Sequence, residues 1–151
     1  LSAWQAALFN AWLMRRLERG DFAQLIGGDL AKKTDTGGMF TVEEVAVEQA
    51  RLEAGELTYT GPMFGKKMRW PGEPAASHER EILAAEEVTE GDLKKARLMG
   101  SRRVARLLLT DLSIEPAPGG LGFSFNLPKG SYATVVMREF MKNETDLPEG
   151  G

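Results

Sequence analysis

One histidine, His78, and no cysteine limit the chemistry open to this 151-residue chain. Without thiols there is no disulfide, no cysteine nucleophile and no thiolate-held ion, and one imidazole does not make a zinc centre. His78 reads as a surface residue of a Glu-rich helix, and no metal is expected. No serine stands in the nucleophile-elbow context that a Ser-His-Asp triad would need. Glu43-Glu44 and Glu86-Glu87 are adjacent pairs. Neighbours on a helix point about 100° apart, so neither pair brackets one reacting atom as acid and base. Gly119-Gly120-Leu121-Gly122 follows prolines and precedes a strand-like run, whereas a phosphate-cradling loop follows a strand and opens a helix.

Two basic clusters are better candidates. Lys66, Lys67, Arg69 and Trp70 share a segment framed by glycine and proline. Such a loop can set cations on a phosphate backbone while the aromatic stacks on an unpaired base. The alternative is a solvated loop with Trp70 turned into the core. Arg102, Arg103 and Arg106 lead into a strand. Arginine suits bidentate contact with phosphate; the alternative is ion pairing with the acidic helices. Net charge is −3, but unevenly spread: residues 1–93 hold 10 Lys+Arg against 16 Asp+Glu, residues 94–142 hold 9 against 3, and residues 143–151 hold none against 3. A globally acidic chain with one basic region still suits a polyanion, although the same asymmetry also arises from solvated helix faces.

The elements that position these residues follow from periodicity and punctuation. Residues 1–19 predict a largely buried helix around Trp4, Leu8, Phe9, Trp12 and Leu13, with Arg15, Arg16 and Arg19 complementing its C-terminal dipole and Gly20 stopping it. Gly27-Gly28-Asp29 is a turn, and residues 34–38 form a second turn between two short strands. Thr41 with Glu44 has capping-box spacing for a helix ending near Ala54. Residues 60–74 read as an irregular loop, followed by helices over about 74–89 and 91–99. Residues 104–115 and 121–127 read as strands joined at Pro116–Gly120. Ser131 is expected to cap a last helix reaching about Lys142, with a frayed tail over 143–151. The order is that of an α+β fold. No run of about 18 apolar residues spans a membrane. The apolar start carries its charges after the apolar run, unlike a signal peptide. A chain that starts mid-helix with Leu rather than Met is expected for a fragment or a processed product.

The run Asn126-Leu127-Pro128-Lys129-Gly130-Ser131-Tyr132-Ala133-Thr134 through Arg138-Glu139-Phe140 closely resembles the C-terminal signature of D-type (TruD-family) tRNA pseudouridine synthases. Other stretches agree in the family's order: Leu8-Phe9-Asn10 with Arg16, Gly28-Asp29, Thr60-Gly61-Pro62 to Gly65, Gly72-Glu73-Pro74 with Glu79, and Gly100-Ser101-Arg102-Arg103. The family's upstream Gly-x-Lys-Asp stretch, which bears the catalytic aspartate, has no counterpart: no Lys-Asp pair occurs. Its Asn-x-Phe element is also absent.

The resemblance implies an inserted helix-and-strand lobe over residues 1–106. It also implies a C-terminal β-hairpin and helix over 107–142 that complete a pseudouridine-synthase sheet. The reaction implied is isomerisation of a uridine in tRNA, in the cytoplasm, with no cofactor. The partners are tRNA and the missing N-terminal catalytic half of the polypeptide. No catalytic residue is expected in this chain, which alone should be inactive. Lys66, Lys67, Arg69, Trp70, Arg102 and Arg103 are the candidates for RNA binding. Lys129, Gly130, Ser131, Tyr132, Ala133, Thr134 and Arg138 are the candidates for lining the cleft. Two other readings stay open: a stand-alone RNA-binding module without catalysis, and a protein-interaction domain using the acidic helices.

Overall fold

The computed structural model describes residues 2–127 and 133–141. The chain divides into two compact units, Leu1–Arg106 and Leu107–Gly151. Among the described residues the fold is α+β, and no helix is long and apolar enough to cross a membrane.

The first unit is built around strand β3 (Leu57–Met63), whose residues are buried apart from half-buried Thr58. Strands β1 (Leu30–Lys33), β2 (Met39–Thr41) and β4 (Ser101–Val104) complete an antiparallel sheet in the order β2-β1-β3-β4. Helix α1 (Ser2–Arg19) ends at Gly20, whose φ of +77° suits a residue without Cβ. It lays Leu8, Phe9 and Trp12 against β3, and the core continues through Leu30, Leu52, Tyr59, Phe64, Ile82 and Leu83. Side chains alternate along a strand. Tyr59 and Gly61 therefore face α1, where a Cβ on Gly61 would lie 2.2 Å from the Trp12 ring. Thr60 faces the other way and meets Arg102.

Several sequence-based expectations change here. Thr41 does not cap a helix: it pairs with Leu30 at the end of β2. Helix α2 (Val45–Glu53) begins after Glu44 with no side-chain cap. The capping box lies instead at Thr89 and Asp92, opening helix α4 (Glu90–Lys95). The expected loop over 60–74 begins as the central strand. Gly61 and Pro62 read as breakers, yet β1 pairs only with residues 57–59. Pro62 thus faces β4 alone, opposite Arg102, and needs no second ladder donor. Helix α3 (Ala75–Ala85) and α4 are both shorter than their expected spans. The expected strand over 104–115 is two pieces, because β4 ends at Val104 and β5 (Thr110–Ala117) begins after an irregular stretch.

In the second unit β5 pairs with β6 (Gly120–Asn126) as an antiparallel hairpin. Its two-residue loop is Pro118-Gly119, with Gly119 at φ +79°. Helix α5 (Ala133–Phe140) sets Phe140 4.9 Å from the Phe123 ring, centroid to centroid. A register irregularity falls between Thr110 and Ser113. There Asp111 holds φ +54° and accepts a 2.5 Å hydrogen bond from the Asn126 amide.

Candidate nucleic-acid interface

The expected RNA-binding residues divide into three groups. Arg102 turns inward. Its guanidinium donates to both Glu79 carboxylate oxygens, at 2.8 and 2.7 Å, and to the Thr60 carbonyl at 2.7 Å. The Arg102 and Glu79 side chains are only 3% and 2% exposed. A guanidinium held this way is not free for phosphate, so the expectation that Arg102 contacts RNA gives way to a structural role. Arg69 is exposed but donates to the Met39 carbonyl of β2, the strand at the opposite sheet edge from β4. Trp70 is half-buried, its ring engaged by Phe64 at 6.1 Å and by the Arg80 guanidinium at 5.6 Å, so it does not stand free as a stacking platform.

Lys66, Lys67 and Arg103 are exposed. Lys66 is knit to the segment before β4. Its amide donates to the Leu98 carbonyl, and its own carbonyl accepts from the Gly100 amide, each at 2.8 Å. This approach depends on glycine: a Cβ on Gly65 would lie 2.5 Å from the Gly100 nitrogen. Lys67 holds a left-handed φ of +64°. The Gln5 amide of α1 donates to the Phe64 and Met99 carbonyls at 2.8 and 2.9 Å, fixing both segments to the helix. One turn along α1, Arg103 lies 5.1 Å over the Phe9 ring. Arg106, the third member of the second cluster, lies over Phe22 at 5.7 Å.

Beneath this surface is a buried ion network. Arg16, 1% exposed at its side chain, pairs with Asp29 at 2.8 Å and Asp21 at 3.2 Å. It also donates to the Gln24 carbonyl at 2.6 Å and lies 4.1 Å over the Tyr59 ring. Burial pushes the Tyr59 phenol up to about 12, so it stays protonated and donates to the Phe22 carbonyl at 2.7 Å. Burial also raises the Asp29 and Glu79 carboxyls, against the pull of Arg16 and Arg102 respectively. Arg16, Asp29, Thr60, Glu79 and Arg102, scattered through the family-like stretches, thus converge on one buried framework. Sequence reasoning missed the buried Arg16–Asp29 pair that belongs to it. It also missed Arg97, an exposed cation beside the Leu98 contact. The signal for Arg97 was present: residues 93–110 contain six Lys+Arg and no Asp or Glu.

Of the expected cleft-lining residues, Lys129, Gly130, Ser131 and Tyr132 lie outside the described residues. Ala133 and Thr134 open α5 and are exposed, and Arg138 is exposed in its last turn. His78 is half-buried on α3 with its Nδ1 unpartnered, and among the described residues no cluster of His, Asp and Glu could hold a metal ion. An open cavity of about 340 Å³ lies beside β1 and β2, lined in part by Lys33, Phe40 and Arg51. There Arg51 is already paired with Glu48 and Glu56.

The family model of tRNA pseudouridine synthase D (TruD) matches residues 1–140. The tRNA pseudouridine synthase D of Anaeromyxobacter dehalogenans is 44% identical over 151 residues, covering 99% of this chain and 43% of that protein. The Thermus thermophilus enzyme of the same name is 41% identical over 140 residues, covering 93% of this chain and 38% of that protein. A crystal structure of a Methanosarcina mazei protein assigned to TruD superposes with a TM-score of 0.70 at 27% identity, covering 91% of this chain and 36% of that one. The chain therefore spans less than half the length of these relatives. With a family model matching nearly its whole length, the chain belongs to the TruD family of tRNA pseudouridine synthases.

Proposed function

We propose that this chain is the RNA-holding part of an enzyme that isomerises a uridine of tRNA to pseudouridine, with residues 1–106 as the family's inserted lobe. The observation that carries this reading is the buried framework of Arg16, Asp29, Thr60, Glu79 and Arg102. The family likeness falls on residues that determine how this unit folds, beneath a surface bearing unpaired cations.

Isomerisation breaks the glycosidic bond, turns the uracil and forms a carbon–carbon bond. A carboxylate must engage the nucleoside, and the family's aspartate stretch has no match in these residues. The target base must also leave its stack, which costs a few kcal/mol. Contacts to RNA away from the reacting atoms offset that cost. Lys66, Lys67 and Arg103 are suited to such contacts. The segment from Lys129 to Thr134, with Arg138 on α5, would line the cleft. There the Arg138 guanidinium would hold the catalytic carboxylate ionised by charge attraction. No cofactor enters this scheme, and the setting proposed is the cytoplasm.

The test is pseudouridine formation in an unmodified tRNA transcript, detected by carbodiimide labelling. The full-length polypeptide containing this chain is expected to form it, and the 151-residue chain alone is not. Product from the chain alone would overturn the division of labour, and no product from the full-length polypeptide would overturn the activity.

A further inference from the structure

Two stretches of this chain are basic and contain no acid. Residues 57–72 hold Lys66, Lys67 and Arg69, and residues 93–110 hold six further cations, with no Asp or Glu in either. The fold lays one beside the other. Strand β3 pairs with β4, and the Lys66–Met99 bridge continues the contact past the strand ends. Gly65 and Gly100 let the two backbones touch: a Cβ on Gly100 would lie 2.7 Å from the Gly65 carbonyl oxygen. Among the described residues, Lys66, Lys67, Arg97 and Arg103 are exposed and have no acidic partner.

Among its described residues this surface presents no exposed aromatic ring. In the first unit the described aromatic residues are all buried or half-buried. Trp70 is engaged by Phe64 and Arg80, and Phe9 lies beneath Arg103. Proteins that hold single strands pair cations with exposed aromatics on which bases stack. Double-stranded RNA is recognised through its regular array of phosphates and 2′-hydroxyls, by shape more than by sequence. A cation array fixed by backbone hydrogen bonds on both sides of Lys66, with no exposed aromatic beside it, matches the second case.

We infer that Lys66, Lys67, Arg97 and Arg103 form a site for the backbone of a helical RNA stem, joined by the Gly65–Gly100 contact and indifferent to base sequence. The inference rests on the RNA reading above and names the part of the RNA that this surface holds.

The experiment follows fluorescence anisotropy of a labelled tRNA transcript bound to the 151-residue chain. Unlabelled competitors are a 12-base-pair RNA duplex and a single-stranded RNA of equal nucleotide content. The duplex is expected to displace tRNA at lower concentration than the single strand. The variant K66Q/K67N/R97Q, with Asn at position 67 because it tolerates the left-handed backbone, is expected to keep the wild-type circular dichroism spectrum. Its log K against log salt for the duplex should be shallower by about 3, roughly one per cation removed. If tRNA binds but the single strand competes better, or the variant keeps the wild-type slope, the stem site is overturned and the tRNA reading stands. If neither tRNA nor duplex binds this chain, both fail.

Discussion

Arg102 and Arg103 are neighbours of the same chemistry in sequence, and the pleat gives them different tasks. Arg103 stands opposite Gly61 on the α1 side, and Arg102 stands opposite Pro62 and reaches Glu79. Removing one partner of a buried pair leaves an uncompensated charge, so Arg102→Ala is expected to destabilise the fold by about 3–5 kcal/mol in urea titration. Arg103→Ala should cost well under half of that, while weakening RNA binding. Equal losses of stability would contradict the assignment. Glu79 also makes a pH prediction. Burial raises its carboxyl above the ordinary value of 4.5. Between 4.5 and that raised value the folded state holds a proton that the unfolded chain has released. Its contribution is therefore full below 4.5 and lost as pH rises through the folded value. Glu79→Gln cannot ionise and lacks this slope. The midpoint of thermal unfolding of the unsubstituted protein, relative to Glu79→Gln, should fall as pH rises from about 4.5 toward neutrality. A rise would mean that Arg102, rather than burial, dominates the carboxyl. The sequence made the positive charge of this region plain. It did not show which guanidinium turns inward, because that depends on the register between β3 and β4.

At the scale of elements, the periodic pieces were legible: α1 with its Gly20 stop, the β1–β2 hairpin and the β5–β6 hairpin. What stayed hidden depended on long-range pairing. Thr60-Gly61-Pro62 looks like a loop by local preference, yet β3 is the sheet's centre because Trp12 and Phe9 of α1 need a strand without a side chain at Gly61. Gly61→Ala is therefore expected to overpack this contact and cost about 1–3 kcal/mol, read as a lower urea midpoint with an unchanged slope. A neutral result would show that α1 does not close on β3 as described. The misread cap has a comparable origin. Thr41 and Glu44 have capping-box spacing, but Thr41 is held by its ladder partner Leu30. At Thr89 no strand competes, and both capping-box hydrogen bonds form. Thr89→Ala should lower stability by about 1 kcal/mol, and Thr41→Ala should show no loss of helix content by circular dichroism.

At the scale of the whole molecule, the charge asymmetry read from sequence is organised by the fold rather than averaged away. Carboxylates on α2, α3 and α4 pair with Arg51, with Arg19 and Arg102, and with Arg80, respectively. The two acid-free stretches meet in one place and leave Lys66, Lys67, Arg97 and Arg103 exposed. Family membership was legible because its longest motif, around Leu127 to Phe140, is continuous in sequence. The cation surface was only partly legible, since Lys66 and Arg97 are joined by backbone contacts between distant segments. On the proposed function this surface holds RNA, and bond breaking falls to a carboxylate elsewhere. The measurement that tests this most directly is steady-state pseudouridine formation by the full-length polypeptide carrying K66Q/K67N/R97Q, with KM and kcat determined separately. The predicted result is a raised KM for tRNA with kcat nearly unchanged, the mark of lost uniform binding. A fall in kcat with KM unchanged would place these residues in the chemistry and contradict the account.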